Sequence, residues 1–188
     1  MTVNVDLGGN TLLVEGISMG STGPGGTATA IDATATEINR ACDVSARLVA
    51  GGSATTLSVA SHDGKTILWD TAAGTTLTLP TAAGTGAIFR VVCSVTATSN
   101  SHILKCGAAS DIMYGSIMTI DTDTADATLA FAAEAADTMD TITLNRTTTG
   151  LAAIGDWVEV QDIGTNKWFV RGTVRASGSV ATPFSSAV

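Results

Sequence analysis

Aromatic residues make up only 4% of this 188-residue chain and charged residues only 14%. Each shortage excludes a class of function. Sites that cleave sugars lean on aromatic platforms, and the three tryptophans, Trp69, Trp157 and Trp168, fall inside segments that read as strands, where packing in a core is the expected role. Nucleic-acid binding needs clustered Lys and Arg to displace counterions, and 9 basic residues against 17 acidic ones, a net charge of −8, do not supply them. The 3 cysteines, Cys42, Cys93 and Cys106, form no C-x-x-C pair, and their odd count argues against a disulfide framework. They are expected as small buried hydrophobes. No apolar run approaches the length of a membrane helix, so a soluble chain without a membrane partner is expected. Met1 to Asp6 lacks the basic start and apolar stretch of a secretory signal, which points to synthesis in a cytoplasm.

Catalytic constellations are also missing. His62 stands beside Asp63 in an expected turn, and His102 opens an expected strand; neither is accompanied by a G-x-S-x-G elbow or another nucleophile signature. Gly84-Thr85-Gly86 lacks the third glycine and the following helix of a phosphate loop. The expectation is therefore a protein that is not an enzyme and takes no cofactor. Asp121, Asp123 and Asp126 form the one carboxylate cluster with metal-ligand character. The cluster lacks the turn glycine of a calcium loop, and its twelfth position is Ala132 rather than glutamate, so a solvated acidic turn is favoured. A cation held there, with Glu134, Asp137 and Asp140 nearby, stays a hypothesis.

What the sequence does contain is β text. Val3, Val5, Leu7, Leu12, Leu13, Val14 and Ile17 read as an extended arm or edge strand, followed by a glycine-dense stretch from Gly20 to Gly26 that should be flexible. Thr34-Ala35-Thr36-Glu37 carries a helix-capping pattern, and Ile38, Ala41, Cys42, Ser45, Leu48 and Val49 then fall on one face at helical spacing until Gly51-Gly52. Such a helix of about four turns is marginal alone and must pack on the β domain or on a partner chain. From Leu57 onward, short apolar runs alternate with turn residues. Asp63-Gly64 reads as a hairpin turn between Leu57–Ala60 and Lys65–Trp69, and Gly164-Thr165-Asn166 as another between Asp156–Val160 and Lys167–Arg171. Ala87 to Val95 is too continuously apolar for one wet face and is placed centrally. Segment lengths vary too much for a solenoid. The expected fold is mainly β: an antiparallel β-barrel or sandwich over 53–188, preceded by an arm and linker (1–30) and one short α-helix with its linker (31–52).

A surface poor in charge and rich in Thr, Ser, Gly and Ala costs little to desolvate and to order, which suits large permanent contacts between repeated copies. The arm residues, with Ile38, Cys42, Leu48 and Val49 of the helix stripe, are the candidate assembly contacts. Ala33-Thr34-Ala35-Thr36-Glu37-Ile38-Asn39-Arg40, continuing to Asp43-Val44-Ser45, resembles the "TA-x-EIN" segment of tailed-bacteriophage fibre and head structural proteins. Gly155–Val160, Lys167–Val170 and Thr182-Pro183-Phe184 are similar to a β module of phage head decoration or fibre proteins. Together the two cover most of residues 33 to 184. The resemblance implies a tailed-phage virion protein, made in the host cytoplasm and assembled as a homo-oligomer, commonly a trimer; the modest length and the flexible apolar arm before a compact β domain favour the capsid surface over the tail. Its expected partner is the major capsid protein, which it would cement between capsomers. The alternative it implies is a short tail or head fibre, or adhesin, meeting a host receptor or glycan through loops at one end of the β domain.

Overall fold

The computed structural model describes residues 46–123, 128–133, 138–151 and 153–188, and the strand pairing of 18–19 and 29–30. The chain divides into two compact units, 1–44 and 45–188. In the first, β1 (Ser18–Met19) pairs antiparallel with β2 (Thr29–Ala30), so the glycine-dense stretch connects two short strands. The Val3–Ile17 arm and the expected capping sequence at Thr34 lie outside the described residues.

The second unit is mainly β, as expected, with two sheets that enclose one core. β3 (Leu48–Ala50), β5 (Thr66–Trp69) and β7 (Ile88–Cys93) run parallel in the first sheet. β4 (Ala54–Thr56), β6 (Thr76–Thr78) and β8 (His102–Lys105) run parallel in the second. The chain thus crosses from sheet to sheet at every step, five crossings that make two and a half turns around the core. Leu48 faces Thr66, which faces Arg90, at steps of 18 and 24 residues; Ala54, Thr76 and Ile103 align at steps of 22 and 27. This is solenoid-like winding with unequal turns, and the inequality hid it from a search for a fixed period.

The rest of the chain completes both sheets. β9 (Ile112–Asp121) pairs antiparallel with β10 (Thr128–Ala133) and parallel with β13 (Lys167–Ala176). β12 (Trp157–Gly164) joins β13 to β7, while β11 (Thr141–Leu144) joins β8 to β14 (Phe184–Ser185). The final orders are β10-β9-β13-β12-β7-β5-β3 and β14-β11-β8-β6-β4. β7 is an interior strand between β12 and β5, but its two faces are unequal: Phe89, Val91 and Cys93 are buried while Ile88 and Arg90 are exposed, so one face is wet despite the continuous apolar run. The C-terminal segment folds back to bury Phe184.

Three expectations need correction. The two sheets are mixed and not closed, so neither a barrel nor a purely antiparallel arrangement holds, because a turn-bounded apolar run looks the same whether the chain reverses within a sheet or crosses to the other one. The Asp63-Gly64 turn does not join a hairpin: Val59–His62 is α1, a single helical turn, and the strand before it is β4. Leu48 and Val49 are not on a helix but in β3, where the Thr66 N–H donates to the Arg47 carbonyl at 2.8 Å and the Gly51 N–H to the Leu68 carbonyl at 3.0 Å. These partners across the sheet outweigh the helical spacing of the apolar residues.

The core lies between the sheets. Trp69, Phe89, Trp168, Leu77, Leu104 and Ile142 are fully buried, and the Phe89 and Trp168 rings meet at 5.8 Å and 60°. His102 is buried beside Trp69. Its Nδ1 accepts the Thr75 N–H at 3.1 Å and its Nε2 donates to the Val95 carbonyl at 3.0 Å, so it ties strand β8 to the loops that precede it. Burial holds its pKa below the ordinary 6.5, against the pull of the Val95 carbonyl and the Asp70 charge. Gly115, at φ 126, permits the close approach of β9 to β13, since a Cβ there would overlap the Val170 carbonyl oxygen. Cys93 and Cys106 are buried. Burial, helped by Asp156, pushes the Cys93 thiol up to about 11, and burial with Asp111 and Asp140 raises Cys106 further.

Candidate functional site

Strand alternation sends one set of side chains of the seven-stranded sheet into the core and the other outward. The register sorts the outward set into rows. Tyr114, Phe169, Gln161 and Ile88 lie side by side across β9, β13, β12 and β7. Beside them run Ser116, Arg171, Glu159, Arg90, Thr66 and Leu48, and then Met118, Thr173, Trp157, Val92 and Leu68. Leu48 is 66% exposed, Met118 47%, Phe169 38% and Ile88 37%, a large apolar share for an outer face. Arg90 covers the Trp157 ring at 4.9 Å, and Arg171 Nε donates to Glu159 Oε1 at 2.7 Å. With Lys167 and Arg175 on the same face of β13, the outward set carries four cations against the one carboxylate of Glu159, Arg175 being paired with Asp156 at the end of the sheet, in a chain of net charge −8. It is an apolar, locally basic face on an acidic protein.

Among the described residues the outer edge of the same sheet has no strand partner: β10 pairs with β9 alone, and its six residues contain neither charge nor proline. Natural edges are usually blunted by those devices, so β10 is a template for strand addition.

Of the expected assembly residues, Leu48 and Val49 sit on β3, with Leu48 on the open face. Val3, Val5, Leu7, Leu12, Leu13, Val14, Ile17, Ile38 and Cys42 lie outside the described residues. Asp121 ends β9, nearly buried, and its Oδ1 accepts the Asp123 N–H at 3.1 Å, the geometry of a self-bonded acidic turn. Asp126 lies outside the described residues, among which no group of three metal-ligating side chains is found. His62 Nδ1 accepts the Ser58 N–H at the end of α1.

The buried carboxylates hold loops. Asp162 accepts the N–H groups of Ala83, Gly84 and Thr85 at 3.1, 2.7 and 2.9 Å and the Thr85 hydroxyl at 2.8 Å. Burial acts to raise its pKa, but these donors together outweigh it and hold the carboxyl below its ordinary 3.8. Asp140 takes the N–H groups of Ala187 and Val188 and so fastens the C-terminal segment.

Trp157, expected in the core with Trp69 and Trp168, stands on the outer face instead, as does Phe169 of the expected Lys167–Arg171 strand. Their phase carried the signal. Trp157 shares parity with Glu159 and Gln161 and opposes Val158 and Val160; Phe169 shares parity with Lys167 and Arg171. An aromatic in phase with charges faces outward. Comparison with protein-family models, with curated proteins and with solved structures finds no match.

Proposed function

We propose that the protein is a structural component of a tailed-bacteriophage particle that decorates and cements the capsid, binding between capsomers as a homo-oligomer, a trimer in the simplest arrangement. The observation that carries this reading is the open face of the seven-stranded sheet. Leu48, Ile88, Met118 and Phe169 stay exposed across it, Arg90 covers the Trp157 ring, and positive charge is in surplus. Such a face suits an acidic, apolar partner surface, and the major capsid protein is the proposed partner. The sparse charge of the whole chain and the resemblance of Ala33–Arg40 to phage structural proteins support the same reading. The arm residues Val3–Ile17 and the Ile38 and Cys42 positions are proposed as further contacts.

The test is capsid binding. Wild-type protein added to expanded, undecorated capsids should bind and raise their melting temperature, and Phe169→Glu with Met118→Glu should weaken binding by at least about tenfold, as loss of an interface anchor does. Absence of binding, together with undecorated capsids as heat-resistant as complete ones, would overturn the proposal.

A further inference from the structure

At one end of the sandwich, where β7, β9, β11 and β13 finish, the loops enclose a cleft of about 420 Å³, within the range of small-ligand sites. Its walls are hydroxyls and guanidinium groups: Thr96, Thr122, Thr147 and Ser177 with Arg146 and Arg175, and only Ala97 and Ala153 as apolar neighbours. The two arginines differ in their commitments. Arg175 Nε is 2.7 Å from Asp156 Oδ1 and its Nη2 donates to the Ile154 carbonyl, while Asp156 Oδ2 takes the Arg175 N–H. Its charge is therefore matched. The two ion pairs among the described residues are this one and Arg171–Glu159, and neither uses Arg146.

Arg146 is held in place at a cost in backbone strain. Its φ of 64 lies in the left-handed region, as does the 61 of Leu151 a few residues on. Asn145 organises the loop between them. Its Oδ1 accepts the N–H groups of Thr147 and Thr149, its Nδ2 donates to the Thr148 hydroxyl, and its own N–H reaches the Thr149 hydroxyl. The Thr147 and Thr148 carbonyls accept the N–H groups of Ser177 and Ala181, which fixes the loop to the C-terminal segment. A half-buried cation is thus presented at the cleft on a hydrogen-bonded loop.

We propose that this cleft binds the carboxylate of an acidic sugar, with Arg146 as the charge partner and the lining hydroxyls meeting the sugar's own, those of Thr122 and Thr147 as acceptors only, since their protons go to the Ala176 carbonyl and Asn145 Oδ1. One unmatched positive charge fits a monocarboxylate better than a doubly charged phosphate, and the negative net charge of the protein repels polyanions. The apolar part of the walls comes from Ala97, Ala153 and the methyl groups and stems of the threonines and arginines, with no aromatic platform among them. Affinity for a single sugar is therefore low, in the millimolar range, and gains by multivalency if several copies act together. The inference rests on the cleft alone and does not require the capsid role.

Titration of the full chain with glucuronate, followed by amide resonances, tests it. Saturable shifts should appear at Thr96, Thr122, Thr147 and Ser177, and glucose, acetate and inorganic phosphate should each bind at least about tenfold more weakly. Arg146→Gly removes the guanidinium while easing the left-handed backbone, so it should fold at least as stably as wild type yet bind glucuronate about tenfold or more weakly. Arg146→Lys should bind at an intermediate level. The proposal fails if glucuronate gives no saturable shift at the cleft, if acetate or phosphate binds as well as glucuronate, if a peptide carboxylate binds better, or if Arg146→Gly binds as wild type.

Discussion

The wound half of the sandwich, β3 to β8, and the later half, β9 to β14, meet along β7–β12 and β8–β11, but they are specified differently. In the wound half each strand finds its partner one full turn away, and backbone groups in the crossings stack as well: the Ser94 and Val95 N–H groups reach Trp69, and the Leu79 N–H reaches Lys105. In the later half the β12–β13 pair closes on itself through a tight turn with Asn166 at φ 59, a local signal that tolerates only a few residue types. Local turns write themselves into a sequence; crossings between sheets do not. The later half nonetheless depends on long-range fits too, the pairing of β11 with β14 and above all the parallel approach of β13 to β9 at Gly115.

That fit gives the largest expected effect. Gly115→Val should cost more than about 4 kcal/mol or abolish folding, because it combines a forbidden φ with an overlap against backbone, and urea unfolding measures it. The seam between the halves comes next. Leu104 of β8 and Ile142 of β11 are register partners and fully buried. Each change to Ala should cost roughly 2–5 kcal/mol, and the double variant less than the sum of the two because they share a cavity. Full additivity would show that the seam does not couple the halves.

Asp162→Ala should follow, at about 2 kcal/mol at neutral pH, through loss of the donors from residues 83–85. Its pH dependence has a fixed sign. The folded pKa lies below the unfolded 3.8, so the contribution is complete above 3.8 and is lost as pH falls through the folded value. His102 opens a separate window in the wound half. Its folded pKa is also lowered, so protonation favours the unfolded chain, and the stability present above 6.5 declines as pH drops toward the folded value. His102→Gln should remove the decline between pH 6.5 and that lower value while leaving the acid limb of Asp162. The smallest effect belongs to the open face: Phe169→Glu should change stability by no more than about 0.5 kcal/mol, since the side chain is already exposed, even though it is expected to weaken assembly.

Strand positions were legible where apolar alternation is strict, as in Thr76–Thr78, Thr141–Leu144 and Trp157–Val160, and the turn at Thr165-Asn166 was legible from its residue types. The open face was legible in part, through the shared parity of Trp157 with Glu159 and of Phe169 with Arg171. The Asp63-Gly64 turn misled because Gly64, at φ 71, ends a helical turn there as readily as it would close a hairpin. Arg146 carried no sequence signal, since nothing in Asn-Arg-Thr-Thr-Thr-Gly marks its left-handed backbone or its empty charge.

By itself, then, the sequence determined that the chain would be rich in short strands, poor in charge and without a recognisable catalytic set, because these follow from composition and from periodicity two. Only the tertiary structure decided which strands pair, in which direction, and which alternate set is left uncovered. Those choices depend on backbone partners tens of residues apart, and a residue's own type carries no record of them.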